Sequence, residues 1–148
     1  MWKESAIEIS MLVSLGLAGR SQEKPPTEFK IPPEEASRKN PVASSPTAIA
    51  EGKRRYGTEC AVCHGTDGDG KGDVVEELKL KLRDWRDPTA LKDLTDGEMF
   101  YIINKGKGAM PGEGDRAKPE QIWQMVIYLR SLAKSEPPAK PTDVKPPA

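Results

Sequence analysis

The chain has 148 residues, with 23 Lys and Arg balanced by 23 Asp and Glu and a single His, so its formal net charge is zero. That balance argues against a nucleic-acid binder, which needs a basic surplus to neutralise phosphates, and no apolar run approaches the ~18–20 residues of a spanning helix, which excludes a polytopic membrane protein. Apolar residues are 36% and aromatics 5%, against a usual apolar share of roughly 45–50% counted with Gly, so a large β-sandwich or a broad α/β core is not expected.

The first segment, residues 1–18, contains the short apolar stretch Met11-Leu12-Val13-Ser14-Leu15-Gly16-Leu17-Ala18. Gly16 and Ala18 satisfy the small-x-small rule for signal cleavage, and the segment reads as an export signal or a short anchor. Arg20 stands where a lipidated Cys would be, so no lipid anchor is expected. Prolines crowd the next segment, six of the 14 between Pro25 and Pro46, and five more fall between Pro137 and Pro147. Proline lacks an amide donor and favours extended backbone. Residues 19–45 therefore read as a Pro-rich linker and residues 135–148 as a Pro-rich disordered tail. The packed unit is residues 46–134, short enough to need a staple such as a cofactor.

Within that unit the hydrophobic period is helical. Ser45-Pro46 provides a cap and a first-turn proline, after which Ile49, Gly52, Tyr56 and Cys60 mark one face. Asp73–Leu82 is mixed, and a short amphipathic helix is expected there. A second main helix begins at Thr95, with Glu98 completing a capping box and Gly106 as its stop. The third runs from about Pro119 to Leu132, with Ile122, Met125, Val126, Leu129 and Leu132 on one side. No alternating segment bounded by turn residues is present, so almost no sheet is expected and the fold class is all-α.

Cys60-Ala61-Val62-Cys63-His64 uses both cysteines and the one histidine of the chain. Two thiols three positions apart at a helix end can reach both vinyl groups of one haem, and the adjacent imidazole can reach its iron; this spacing is that of a c-type haem attachment. The alternatives fit less well. A thioredoxin-like pair wants a βαβ setting, a structural zinc wants four N or S ligands where only three exist, and a disulfide across two residues is strained. With His64 as proximal ligand, a second His is unavailable and a sulfur ligand must be Met. Met1 and Met11 lie in the leader, and Met99 and Met125 lie on helix faces at core spacing, where methionine packs. Met110 sits in the glycine-rich loop Lys105-Gly106-Lys107-Gly108-Ala109-Met110-Pro111-Gly112, where packing offers it little role, and it is the favoured distal ligand. The nearby Gly65–Asp73 loop brushes against a calcium-loop pattern, but Lys71 and Leu78 occupy ligand positions and no calcium site is expected.

From about Ala48 to Leu132 the chain resembles a class I cytochrome c of the small bacterial monohaem type. The motifs that carry the resemblance are Cys60-Ala61-Val62-Cys63-His64-Gly65, Gly108-Ala109-Met110-Pro111 and Tyr128-Leu129-Arg130-Ser131-Leu132, in that order, with Leu94–Ile103 preceding the Met loop. The resemblance implies a cytochrome c-like fold, three main helices around one covalent haem c, in which Gly52 and Tyr56 of the first helix meet Met125 and Tyr128 of the last. It also implies that Trp85 contacts a haem propionate, with Arg83 and Arg86 beside it. One departure bears on chemistry. Family members often carry a proline after the haem motif whose carbonyl accepts the proximal His N–H, but Gly65–Asp73 contains none, and the sequence names no other acceptor for His64.

His/Met ligation leaves no open iron position and raises the reduction potential. The first expectation is thus a non-enzymatic one-electron carrier, cycling Fe(II)/Fe(III) between redox protein partners, periplasmic or otherwise extracytoplasmic, with the N-terminal segment as a candidate membrane tether. The second is a fixed haem c subunit of a larger membrane or periplasmic oxidoreductase. The third, ranked last, is a haem peroxidase or gas-binding protein. Lys105, Lys107, Arg116 and Lys118 around the Met loop are candidates for a docking rim, although solvated faces carry such residues equally well.

Overall fold

The computed structural model describes residues 29–133. The expected export segment at 1–18, the first part of the linker and the C-terminal tail lie outside the described residues. Among the described residues five helices occur in the order α1 (Pro33–Ala36), α2 (Pro46–Glu59), α3 (Ala61–His64), α4 (Asp96–Lys105) and α5 (Pro119–Leu132). The described residues contain no strand, only an isolated bridge between Lys107 and Met110. No helix among them is long and apolar enough to cross a membrane.

Local chemistry starts α2 and both starts and stops α4. Ser45 caps α2 by accepting the Ala48 amide at 3.1 Å, with Pro46 in the first turn where its missing N–H costs nothing. Thr95 and Glu98 form a reciprocal capping box on α4: the Thr95 hydroxyl accepts from the Glu98 amide at 3.1 Å and Glu98 accepts from the Thr95 amide at 2.7 Å. Gly106, at φ +80°, ends α4 in a conformation that side-chain-bearing residues resist.

The core is the seam between α2 and α5. Tyr56, Ile122, Trp123, Met125 and Val126 are almost completely buried, and each such side chain contributes about 1.5–3 kcal/mol relative to exposure. Gly52 makes the close approach. A Cβ there would lie 2.1 Å from the Gln124 carbonyl oxygen and 2.9 Å from Tyr128 Cβ, so only glycine permits it. The expected partner Tyr128 is therefore in place, while the backbone that Gly52 faces is that of Gln124 rather than Met125. Tyr56 packs its ring against that of Tyr128 at 5.1 Å between centroids. Arg130 fastens α5 to the start of α4: its guanidinium donates to Asp96 at 2.9 Å and to the carbonyls of Leu91 at 2.7 Å and Leu94.

Two sequence expectations need correction. Residues 29–45 do not behave as a free linker but form a strap over α4 and α5. The strap carries α1, and its Ala36 carbonyl accepts the Thr95 hydroxyl at 2.6 Å. Arg38 lies over the rings of Phe100 and Trp123, at 4.5 and 5.4 Å. Asn40 donates to the Trp123 carbonyl at 3.2 Å, and Phe29 meets Tyr101 at 6.0 Å. Proline density tells of missing amide donors, but carbonyls and side chains still find partners when a helix terminus and two stacked rings are near. Gly97 makes room for the strap, since a Cβ there would come 2.1 Å from the Glu35 carbonyl oxygen.

The second correction concerns Asp73–Leu82, which forms turns rather than a helix. Its hydrogen bonds mix spacings: Val75 to Gly72, Leu78 to Val74 and Leu80 to Val75. Lys79 has φ +51°, which breaks any helical run. This backbone brings Leu78, Leu80 and Leu82 to one cavity wall, at a two-residue spacing that a helix cannot supply.

Candidate functional site

The end of α2 runs directly into the Cys60–His64 turn. Cys60 closes α2 by donating its amide to Tyr56 at 2.9 Å, and its own carbonyl accepts from Cys63 at 3.2 Å and His64 at 2.9 Å. The glycine-rich loop then folds back on this turn. Gly70 donates to the His64 carbonyl at 2.9 Å and Gly72 to the Cys63 carbonyl at 3.1 Å. A Cβ on Gly72 would sit 2.3 Å from the Val62 carbonyl oxygen, so the loop lies against the motif only because that position is bare. The Tyr56 hydroxyl donates to the Gly65 carbonyl at 2.6 Å, which ties the turn to the helix core.

Met110 is presented by a tight two-residue hairpin. Lys107 and Met110 exchange both backbone hydrogen bonds at 3.0 Å, and Gly108 takes φ +60° at the first central position, the pattern of a type II′ turn. Both ends are anchored on α4. Gly106 packs where a Cβ would strike the Met110 carbonyl, and on the return Glu113 donates to Ile103 at 2.8 Å and Gly114 to Asn104 at 3.0 Å.

These elements enclose one cavity of about 390 Å³, within the usual range for a ligand site. Cys60, Cys63, His64 and Met110 all line it, together with Leu78, Leu80, Leu82 and Ile102. Val62 and Leu78 also line it and are 47% and 57% exposed, so its mouth is apolar and open to solvent. Both cysteines are unpaired thiols. Burial, then the nearby Glu113 carboxylate, pushes the Cys60 thiol up to about 12. Burial pulls the His64 imidazole below its ordinary value, which favours the neutral form that coordinates metal. The residues present fit a flat apolar group with a central metal: greasy walls, two thiols three residues apart, an imidazole, and a thioether on a pinned loop.

Trp85 is not among the residues lining the cavity. Its indole stacks on the His64 ring, 4.1 Å between centroids and 20° between planes. Arg83 donates to the Ala90 carbonyl at 3.0 Å, and Arg86 pairs with Asp84 at 2.7 Å. Among the cations near the Met loop, Arg116 pairs with Glu113. Glu113 was not singled out by the sequence, yet its side chain is buried and lines the cavity, with Oε2 unpartnered. The one available signal was an acid directly after Met110-Pro111-Gly112.

Comparisons with known proteins bear on the family and the fold. Residues 47–129 match the family described as cytochrome c oxidase, cbb3-type, subunit III. The quinohemoprotein alcohol dehydrogenase ADH IIB of Pseudomonas putida is 29% identical over 125 residues, 82% of this chain and 16% of that protein. The chloroplastic cytochrome c6 of Chlamydomonas reinhardtii is 30% identical over 93 residues, 60% of this chain and 57% of that protein. The chain thus spans well under two thirds of the length of these relatives. A chain of the reducing HAO-like protein complex of Kuenenia stuttgartiensis shares the fold, with a TM-score of 0.55, 22% identity, and coverage of 62% of this chain and 46% of that one. An all-α cavity built on a Cys-x-x-Cys-His turn and a family match over more than half the chain lead to one conclusion: this protein belongs to the cbb3-type subunit III family of c-type cytochromes and is a monohaem, class I-like cytochrome c with covalent haem c.

Proposed function

We propose that this chain is a one-electron carrier in which Cys60 and Cys63 would hold the haem through thioethers and His64 and Met110 would ligate its iron. When bound, the haem supplies a one-electron Fe(II)/Fe(III) couple. The observation that carries the reading is one cavity lined by both thiols, the only imidazole of the chain and a loop-borne thioether. The residues divide the remaining work. Leu80, Leu82 and Ile102 would shield the group from water, which limits the solvent rearrangement that accompanies a change of charge. The Lys107–Met110 hairpin would hold its thioether ready as an iron ligand, which would leave no position open to a substrate. That closure is why we read a carrier and not an enzyme. Residues 46–134 are the haem domain, residues 1–18 an export signal or short anchor, and the working location is the periplasm, among redox protein partners.

Two measurements on purified, matured protein test this reading. A reversible one-electron wave is expected, and the spectrum of the reduced protein should not move under carbon monoxide. A shift under carbon monoxide would mean that the sixth position is open and would return the gas-binding alternative to the front.

A second reading, a fixed haem subunit of a larger oxidoreductase, is supported by the family description and by the alcohol dehydrogenase relative, of which the matched part is 16%. Fractionation of native extracts separates the two. A free carrier elutes as a small haem protein; a haem band found only in a large complex selects the subunit.

A further inference from the structure

The sequence left the proximal imidazole without an acceptor, because no proline follows the haem motif before Pro88. The structure explains what stands in for one. Nδ1 of His64 is buried and has no hydrogen-bond partner among the described residues. An imidazole held by a backbone carbonyl has its rotation set by that bond; this one meets a ring face instead. The Trp85 indole lies on it almost parallel, 4.1 Å between centroids and 20° between planes.

The indole is itself well fixed. Its backbone N–H donates to the Gly68 carbonyl at 2.7 Å. Gly68 takes φ +74°, and a Cβ there would touch Trp85 Cβ and Cε3 at 3.7 Å, so the glycine-rich loop runs directly over the tryptophan. The ring meets Tyr56 edge-on, 6.2 Å between centroids at 63°, and Tyr56 is anchored by its hydroxyl on Gly65 and by its ring on Tyr128. A chain of packed rings thus leads from the α2–α5 seam through Trp85 to the imidazole.

We infer that Trp85 is a positioning residue for His64: its indole fixes the rotation of the imidazole and thereby holds Nδ1 in its buried place. The inference rests on the reading of His64 as an iron ligand. A hydrogen bond on the free ring nitrogen raises the basicity of a metal-bound imidazole, and a more basic imidazole favours the ferric state. Stacking orients the ring without that effect. The arrangement therefore replaces a basicity-raising clamp with a neutral one, and it sets a higher potential than a wetted Nδ1 would give.

Because the chain has a single histidine, ring-labelled histidine in untagged holoprotein reports on His64 alone. In the oxidised wild type its resonances should be strongly shifted by the paramagnetic iron; resonances at ordinary positions would overturn the ligand assignment itself. In the reduced wild type, nuclear Overhauser contacts should join the His64 ring to the Trp85 indole, and their absence would overturn the stacking without need of any variant. Trp85→Leu should then lower the reduction potential and change the electron paramagnetic g-values, with the Met110 ligand band retained, whereas Trp85→Phe, which keeps a flat ring, should stay close to wild type. A matured, folded Trp85→Leu protein with wild-type potential and g-values would remove the positioning role.

Discussion

Replacing Cys60 and Cys63 together by alanine should leave a chain that carries no covalent haem and has lost most of its cooperative fold. The first half follows from chemistry, since these are the two thiols in the chain and no other side chain can form a thioether to a vinyl group. The second half follows from the walls of the cavity. Leu78, Leu80, Leu82 and Ile102 line about 390 Å³ that the protein's own side chains do not fill. Burying a Leu or Ile side chain is worth about 1.5–3 kcal/mol, while a whole domain is stable by about 5–15 kcal/mol. Leaving several such side chains against water therefore removes a stabilisation comparable to the total. The measurement is a haem-stained denaturing gel, read beside thermal unfolding followed by far-ultraviolet circular dichroism. No haem band and a broad, non-cooperative melt are expected. A haem-free double variant that melts sharply near the wild-type temperature would show that the α2–α5 seam suffices alone.

Met110→His should keep the covalent haem and lower the reduction potential by a sizeable part of the roughly 0.8 V range that axial ligands command. A thioether is a soft, weak donor that favours the reduced metal, and His/Met ligation is the high-potential arrangement. Imidazole is a stronger donor and favours the oxidised metal. The hairpin that presents residue 110 is held by backbone bonds between Lys107 and Met110 and by glycines at 106 and 108, so a new side chain at 110 is delivered to the same cavity. Potentiometric titration checks the shift, and loss of the thioether-to-iron absorption band checks its cause. An unchanged potential and an unchanged band would mean that Met110 is not the ligand. Met110→Ala provides the complement: it should admit carbon monoxide to the reduced protein where the wild type does not.

How legible the site was depended on whether its chemistry is local. The Cys60–His64 turn could be read at once because three reactive groups fall within five residues and exhaust the chain's supply of Cys and His. The capping residues Ser45, Thr95 and Glu98 and the stop at Gly106 announced α2 and α4, and α5 was visible in its apolar stripe, because caps and periodicity act over one or two turns. Met110 was singled out by what surrounds it, a glycine-rich loop closed by Pro111. Glu113 stayed hidden because nothing local marks an acid for burial; it is buried because the loop returns onto Ile103 and Asn104 at the end of α4. The strap at 29–45 was misread for a related reason. Its prolines describe the chain's own backbone, whereas its order comes from Thr95, Phe100 and Trp123, residues more than fifty positions away.

By itself, the amino-acid order determined an all-α haem protein and its attachment motif, since each of these rests on short-range spacing and on which side chains can do the chemistry at all. Only the tertiary structure decided that 73–82 would be a leucine-lined turn segment and not a helix, that Gly52 would face the backbone of Gln124, and that Trp85 would lie on His64. Those outcomes depend on which surfaces meet once α2 and α5 have packed, and a side chain's partner across the fold carries no signature in its own neighbourhood.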